Sequence, residues 1–163
     1  LNYGILRYFN VAGASTSGKI GQINKGDQLF KNLSAEVQKK NPTFRVYGAN
    51  YKTKDGTCIR DYIHVSDISD IHYKVLLKID KYNTSTVLNC GYGKGISVND
   101  VIKKFKKYAN KNLKIVKFPN RKGDMVKVIS DNSKLKKFLK WRPKFNNLSK
   151  IVNSCINWEK EIK

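Results

Sequence analysis

The segment GTCIRDYIHVSDI, residues 56 to 68, decides how the rest of the chain is read. In an extended strand, side chains alternate between two faces. Ile59, Asp61, Ile63 and Val65 then point one way, a face that mostly suits a core. Arg60, Tyr62 and His64 point the other way and offer a cation, a hydroxylated ring and an imidazole. Asp61 faces away from Arg60, so the adjacent carboxylate does not neutralise the guanidinium along the strand. Ser66 is placed to cap a following helix, with Ile68, Ile71, Val75, Leu76 and Ile79 on one apolar stripe.

Outward from that strand, elements alternate. Residues 3 to 9 are β-like and run into the loop Asn10 to Ser15. Residues 15 to 27 are polar and irregular, and Leu29, Phe30, Leu33 and Val37 recur at helical spacing until Asn41-Pro42. Strands are expected at 44–48, 85–90, 113–118 and 126–130. A second capped helix starts at Ser97, with Val98, Val101, Ile102 and Phe105 inward. Two closing helices are carried by Leu135, Phe138 and Leu139, and by Leu148, Ile151, Val152, Cys155 and Ile156. Mixed strands and helices define an α/β class without internal repeat or linker, best suited to part of a larger α/β protein. The opening LNYGILRYFNVAG has no initiator Met and no signal-peptide layout, and is expected to be the back portion of a longer protein.

The 163 residues carry a formal net charge of +21. Clustered basic residues with interleaved aromatics would suit a nucleic acid. Here, however, the lysines cover the whole chain, mostly on the polar side of helical patterns, which disfavours a nucleic-acid module and reads as a Lys-biased surface. Only Arg7, Arg45, Arg60, Arg121 and Arg142 are arginines. In such a chain an Arg marks places where the planar fork is useful. No stretch approaches the roughly 18 to 20 apolar residues of a membrane span. Cys58, Cys90 and Cys155 are scattered, as expected of reduced thiols in a cytoplasmic protein, and no metal-ligand spacing involves His64 or His72.

Gly91, Gly93 and Gly95 follow a strand but give G-x-G-x-G, with Ile96 where a dinucleotide fingerprint needs its third Gly; a tight connection needing positive φ is the favoured reading. Asn10, just after a strand, either caps its own turn or reaches a ligand at the strand's C-terminal end. Arg60, Arg121 and Asp124 with an amide and a ring are what a nucleoside diphosphate requires: forks for the pyrophosphate, an acid for ribose hydroxyls, and a flat or amide partner for the base.

The strings LRYFNVAGA, DGTCIRDYIHVSDISDIH, LNCGYGKGISV, RKGDM and DNSKLKKFLKWRP occur in the order found in UDP-glucose 4-epimerases, which are extended short-chain dehydrogenase/reductases. The resemblance covers nearly the whole chain. It implies the C-terminal part of a Rossmann-type enzyme, with residues 1–163 as the mixed α/β region that binds UDP-hexose and an N-terminal NAD-binding Rossmann domain lying outside this chain. The family reaction passes hydride from sugar C4 to NAD, turns the 4-keto sugar and returns hydride to the other face. By resemblance Tyr8 and Phe9 lie by the nicotinamide. Asn10, Asn32, Leu33, Val46, Tyr47, Arg60, Tyr62, Arg121 and Asp124 bind the UDP-sugar, and Val128 sits at a position that gates N-acetyl substituents. His64 is expected to support the strand without chemistry. The intact protein is expected to be a homodimer. The catalytic Y-x-x-x-K does not occur in this chain, since Tyr47-Gly-Ala-Asn ends in Tyr51 where Lys is required. The chain alone is therefore expected to be inactive. Lys31 stands where relatives commonly repeat Asn. A sister nucleotide-sugar epimerase or dehydratase is the alternative within this superfamily, and a basic nucleic-acid module the alternative outside it.

Overall fold

The structure is a computed structural model that describes all residues except 25 and 163. Small parallel ladders carry it. Strand β1 (Gly4–Tyr8) lies beside β5 (Thr86–Cys90), with Gly4 opposite Thr86. Strand β2 (Asn10–Ala12) lies beside β4 (Ile59–His64), with Asn10 opposite Tyr62. Strand β3 (Thr43–Tyr47) lies beside β7 (Lys114–Phe118). The N-terminal half of β4 is flanked further by β6 (Gly95–Ser97), antiparallel, and β8 (Lys127–Val128), parallel.

Two of these strands lie where the sequence reads as connections. Asn10 to Ala12 is a strand because its partner β4 offers a free edge, and three residues with no alternating pattern do not announce it. Gly95 to Ser97 is likewise a strand, so the 91–94 turn joins β5 to β6 and not directly to a helix; Gly93 does take positive φ there, at 70°. The strand expected over 126–130 shrinks to two residues.

Among the described residues the five helices are α1 (Leu29–Glu36), α2 (Val65–Tyr82), α3 (Val98–Ala109), α4 (Ser133–Leu139) and α5 (Leu148–Glu161). The cap of α2 is His64, whose Nδ1 accepts the Ser66 N–H at 3.1 Å, and not Ser66 as expected. On its stripe Ile68, Ile71 and Val75 are buried, whereas Leu76 is exposed. Ser97 caps α3 as its position suggests, accepting from Asp100 N–H at 3.0 Å. Asn83 and Asn110 end α2 and α3 in the left-handed region, which Asn tolerates.

One apolar core runs through the chain, with Leu33, Ile63, Ile71, Phe105, Leu113, Leu135 and Val152 essentially sealed from solvent. All three cysteines are free and buried. Burial pushes the Cys90 thiol up to about 11 and the Cys155 thiol up to about 12. Among the described residues no helix is long and apolar enough to cross a membrane.

Candidate functional site

Strand β4 organises the site because both its faces are occupied. On one face Asp61, fully buried, is the hub of a polar knot. Its carboxylate accepts the main-chain N–H groups of Tyr92 (3.0 Å), Gly93 (2.9 Å) and Ser130 (3.2 Å), and the Ser130 hydroxyl (2.6 Å). It thereby ties the 91–93 turn and the segment after β8 to the strand. Gly91 has no room for a side chain there: an added Cβ would sit 2.4 Å from Ser130 Oγ and 2.5 Å from Asp61 Oδ2.

The other face looks into an open cleft of about 1400 Å³. Arg60 reaches it with its guanidinium anchored from behind. Its Nη1 donates to the carbonyls of Met125 (2.6 Å) and Ile59 (3.0 Å), and Nη2 lies 3.7 Å from Asp124 Oδ1. The ion pair is long and half open to water, so it orients the fork more than it stabilises the fold. Tyr62 lies deeper, edge-on to Phe30 at 5.0 Å between ring centroids, and burial holds its hydroxyl well above the ordinary tyrosine range. Across the ladder, exposed Asn10 sits opposite Tyr62 at the end of the adjoining strand.

Strand β3 provides the opposite wall. Val46 and Tyr47 line the cleft, and the Arg121 guanidinium stacks 4.1 Å over the Tyr47 ring, which in turn packs on Phe118 at 5.3 Å. Gly48 must be Gly for the chain to leave this strand: its φ is +78°, and a Cβ would meet the Tyr51 ring at 2.1 Å. Arg121 and Asp124 belong to one exposed turn built around Gly123. Helix α1 presents Asn32 from the side. Tyr8 and Phe9 line the end formed by β1, with the Tyr8 hydroxyl hydrogen-bonded to the His72 ring.

Ten of the twelve residues expected at a nucleotide-sugar site therefore line one cleft: Tyr8, Phe9, Asn10, Asn32, Val46, Tyr47, Arg60, Tyr62, Arg121 and Asp124. Two do not. Leu33 is turned into the core, 0% exposed, because its helix offers Asn32 to the cleft and the next position to the interior. Val128 lies on β8 opposite Arg60 in register, half-buried and off the cleft wall. Sequence reasoning missed Lys31, Cys58 and Arg45, which also line the cleft, and the knot around Asp61. His64 supports the strand: it is buried, stacks on Phe145 at 4.5 Å, and lies 3.3 Å from Ser154 Oγ. Burial holds its imidazole below the usual value, although nearby Asp67 works against that. Among the described residues, no group of three or more His, Cys, Asp or Glu is placed to hold a metal ion.

One cleft on an α/β frame thus gathers the Arg60 and Arg121 forks, the Asp124 carboxylate, the Asn10 and Asn32 amides and the Tyr47 and Tyr62 rings. Residues 1–91 match the family model described as NAD dependent epimerase/dehydratase family, and the chain belongs to that family. It is 37% identical over 97% of its length to the UDP-glucose 4-epimerase of Azospirillum brasilense, covering 46% of that protein. Its fold is similar to the UDP-glucose-4-epimerase of Stenotrophomonas maltophila solved with NAD and formylated UDP-arabinopyranose, at 30% identity and a TM-score of 0.94, covering 99% of this chain and 48% of that one. The UDP-Glc/GlcNAc 4-epimerase of Campylobacter jejuni is 43% identical with a TM-score of 0.79, over 98% of this chain and 49% of that one. The chain thus spans about half the length of the relatives it matches.

Proposed function

We propose that residues 1–163 are the C-terminal, UDP-sugar-binding region of an NAD-dependent UDP-hexose 4-epimerase that interconverts UDP-glucose and UDP-galactose. The observation that carries this reading is the convergence of Arg60, Arg121 and Asp124 on one cleft with Asn10, Asn32 and Tyr47. The two forks face the pyrophosphate, and Arg60 is held by main-chain carbonyls so that it meets the ligand already oriented. Asp124 takes ribose hydroxyls. Tyr47 and Val46 flank the base, and Arg121 leaves the Tyr47 ring to close on the phosphates. Asn10 reaches the sugar.

NAD would be held mostly by a domain outside this chain, with Tyr8 and Phe9 at the nicotinamide end, and when bound it supplies reversible hydride acceptance at the sugar carbon. Strand β1 supports that arrangement. Among the described residues it is paired on one edge only, by β5, and its Ile5 and Tyr8 are about half exposed or more, as are Tyr3 just before it and Leu76 on the nearby α2. An open, apolar strand edge suits a further strand laid beside it. The intact protein is read as a cytoplasmic homodimer, and this region alone as inactive for want of the Tyr-x-x-x-Lys base.

Calorimetric titration with UDP tests the reading. Arg60→Ala should weaken binding by about 2 kcal/mol, on the order of thirtyfold in Kd. Retained UDP affinity together with salt-steep oligonucleotide binding would sink it in favour of a basic nucleic-acid module. The similarity to a UDP-Glc/GlcNAc 4-epimerase favours a second reading, in which N-acetylated hexoses are also accepted. Titration with UDP-GlcNAc beside UDP-glucose tests it, and a Kd for UDP-GlcNAc weaker by more than about tenfold would count against it.

A further inference from the structure

The cleft has a buried ion pair in its wall that the reading above does not use. Lys31 Nζ lies 2.7 Å from Glu159 Oε2, with both side chains 8% exposed. Ser34 Oγ donates to the Lys31 carbonyl at 2.9 Å and lies 3.4 Å from the same carboxylate oxygen. Glu159 belongs to α5, close to the C-terminal end of the chain, whereas Lys31 directly precedes Asn32 on α1. The residue before Glu159 makes a second tie. Trp158 Nε1 donates to the Gln22 carbonyl at 2.9 Å, and Gly21 lies so close to the indole that a Cβ would stand 2.5 Å from it.

Local sequence does little to fix α1. The helix has only eight residues, Gln28 makes no side-chain cap bond, and no acid stands in the first turn. A helix that short is not stable by its own propensity, so tertiary contacts decide where it lies. Glu36 at its far end accepts the nearby Thr43 N–H at 2.7 Å; the polar anchor distant in sequence is Glu159, and the chain leading into the helix is held by the neighbouring Trp158.

We infer that Trp158 and Glu159 of α5 form a two-point clamp on the cleft, with Glu159, acting through Lys31, a positioning residue that keeps Asn32 turned toward the ligand. The part of this inference that concerns affinity rests on the nucleotide-sugar reading; the part that concerns the wall does not. A dry ion pair exchanged for apolar side chains of similar size leaves no unpaired charge behind. The double variant Lys31→Met/Glu159→Leu therefore separates the clamp from plain packing.

In the intact protein that variant should melt as the wild type does. Its amides over residues 29–36 should nonetheless exchange hydrogen about tenfold faster, because local opening of α1 is easier. The KM for UDP-glucose should rise by about tenfold with kcat nearly unchanged, since uniform binding is what is lost. Wild-type exchange and wild-type KM in the double variant would overturn the clamp and leave the pair as a spacer. If the double variant does not fold, Trp158→Phe, which keeps a ring and deletes one donor, decides: unchanged exchange through residues 20–24 and unchanged KM overturn the clamp, and faster exchange supports it. Failure of the wild type to bind UDP-glucose at all would overturn the site reading, while the exchange result still judges the clamp.

Discussion

Strands β4 and β1 are both short and both carry residues that line the cleft, yet they differ in how they are held. β4 has neighbours on both edges and side chains packed on both faces; Asp61, Tyr62, Ile63 and His64 are all buried. Among the described residues β1 has one neighbouring strand, and of its own five residues only Leu6 is not exposed. The difference teaches that this chain contains its own anchor for Arg60, while the end of the cleft at Tyr8 and Phe9 adjoins a strand paired at one edge among the described residues. In the reading proposed above, that is the division between a region that recognises the nucleotide sugar by itself and one that needs a second domain to complete it.

The contrast breaks most sharply at Asp61. Asp61→Ala leaves three main-chain N–H groups and one hydroxyl in the interior without their acceptor, and should cost about 4 kcal/mol of stability in denaturant melts. A loss below 1 kcal/mol would mean the knot does not hold β4. A paired truncation sharpens the comparison. Ile63→Ala, at a sealed position, should cost about 3 kcal/mol, whereas Ile5→Ala on exposed β1 should stay within about 0.5 kcal/mol in this chain. Equal losses at the two positions would erase the distinction between the strands.

The smallest effect is on pH. Burial holds His64 below its ordinary value of 6.5, so between the folded and unfolded values the unfolded chain binds more protons than the native one. The stabilisation is therefore complete above about 6.5 and declines as pH falls through the folded value. Melting temperatures recorded downward from neutral pH should fall, and the fall should be shallower in His64→Gln. A rise toward acid pH would contradict a neutral buried imidazole.

Much of this was legible because it rests on strong local signals. The alternation along 59–64, the caps at Ser97, and the stripes of α3 and α5 survive in the structure nearly as read. What was not legible depends on partners distant in sequence. Residues 10–12 become strand only because β4 lies alongside, and 95–97 only because the same strand has another edge to fill. The cap of α2 falls two residues before the expected one because His64 can supply an acceptor that an isolated reading assigns to a serine. At the site, resemblance placed ten residues on one cleft. It also put Leu33 there, although the apolar spacing of Leu29, Phe30, Leu33 and Val37 already turns that residue inward, a step of one residue rotating a helix by 100°; nothing in the sequence tells that Lys31 finds its counter-charge 128 residues away.

The three sealed thiols give the molecule a built-in clock. Burial slows the reaction of each with a maleimide until its surroundings open, and the thiolate is the reactive form. Each labelling rate therefore reads the opening of a different place: Cys58 where β4 begins beside the cleft, Cys90 at the end of β5, and Cys155 in the helix that bears Trp158 and Glu159. Timed mass spectrometry on unaltered protein would order those openings and show which part of the fold gives way first.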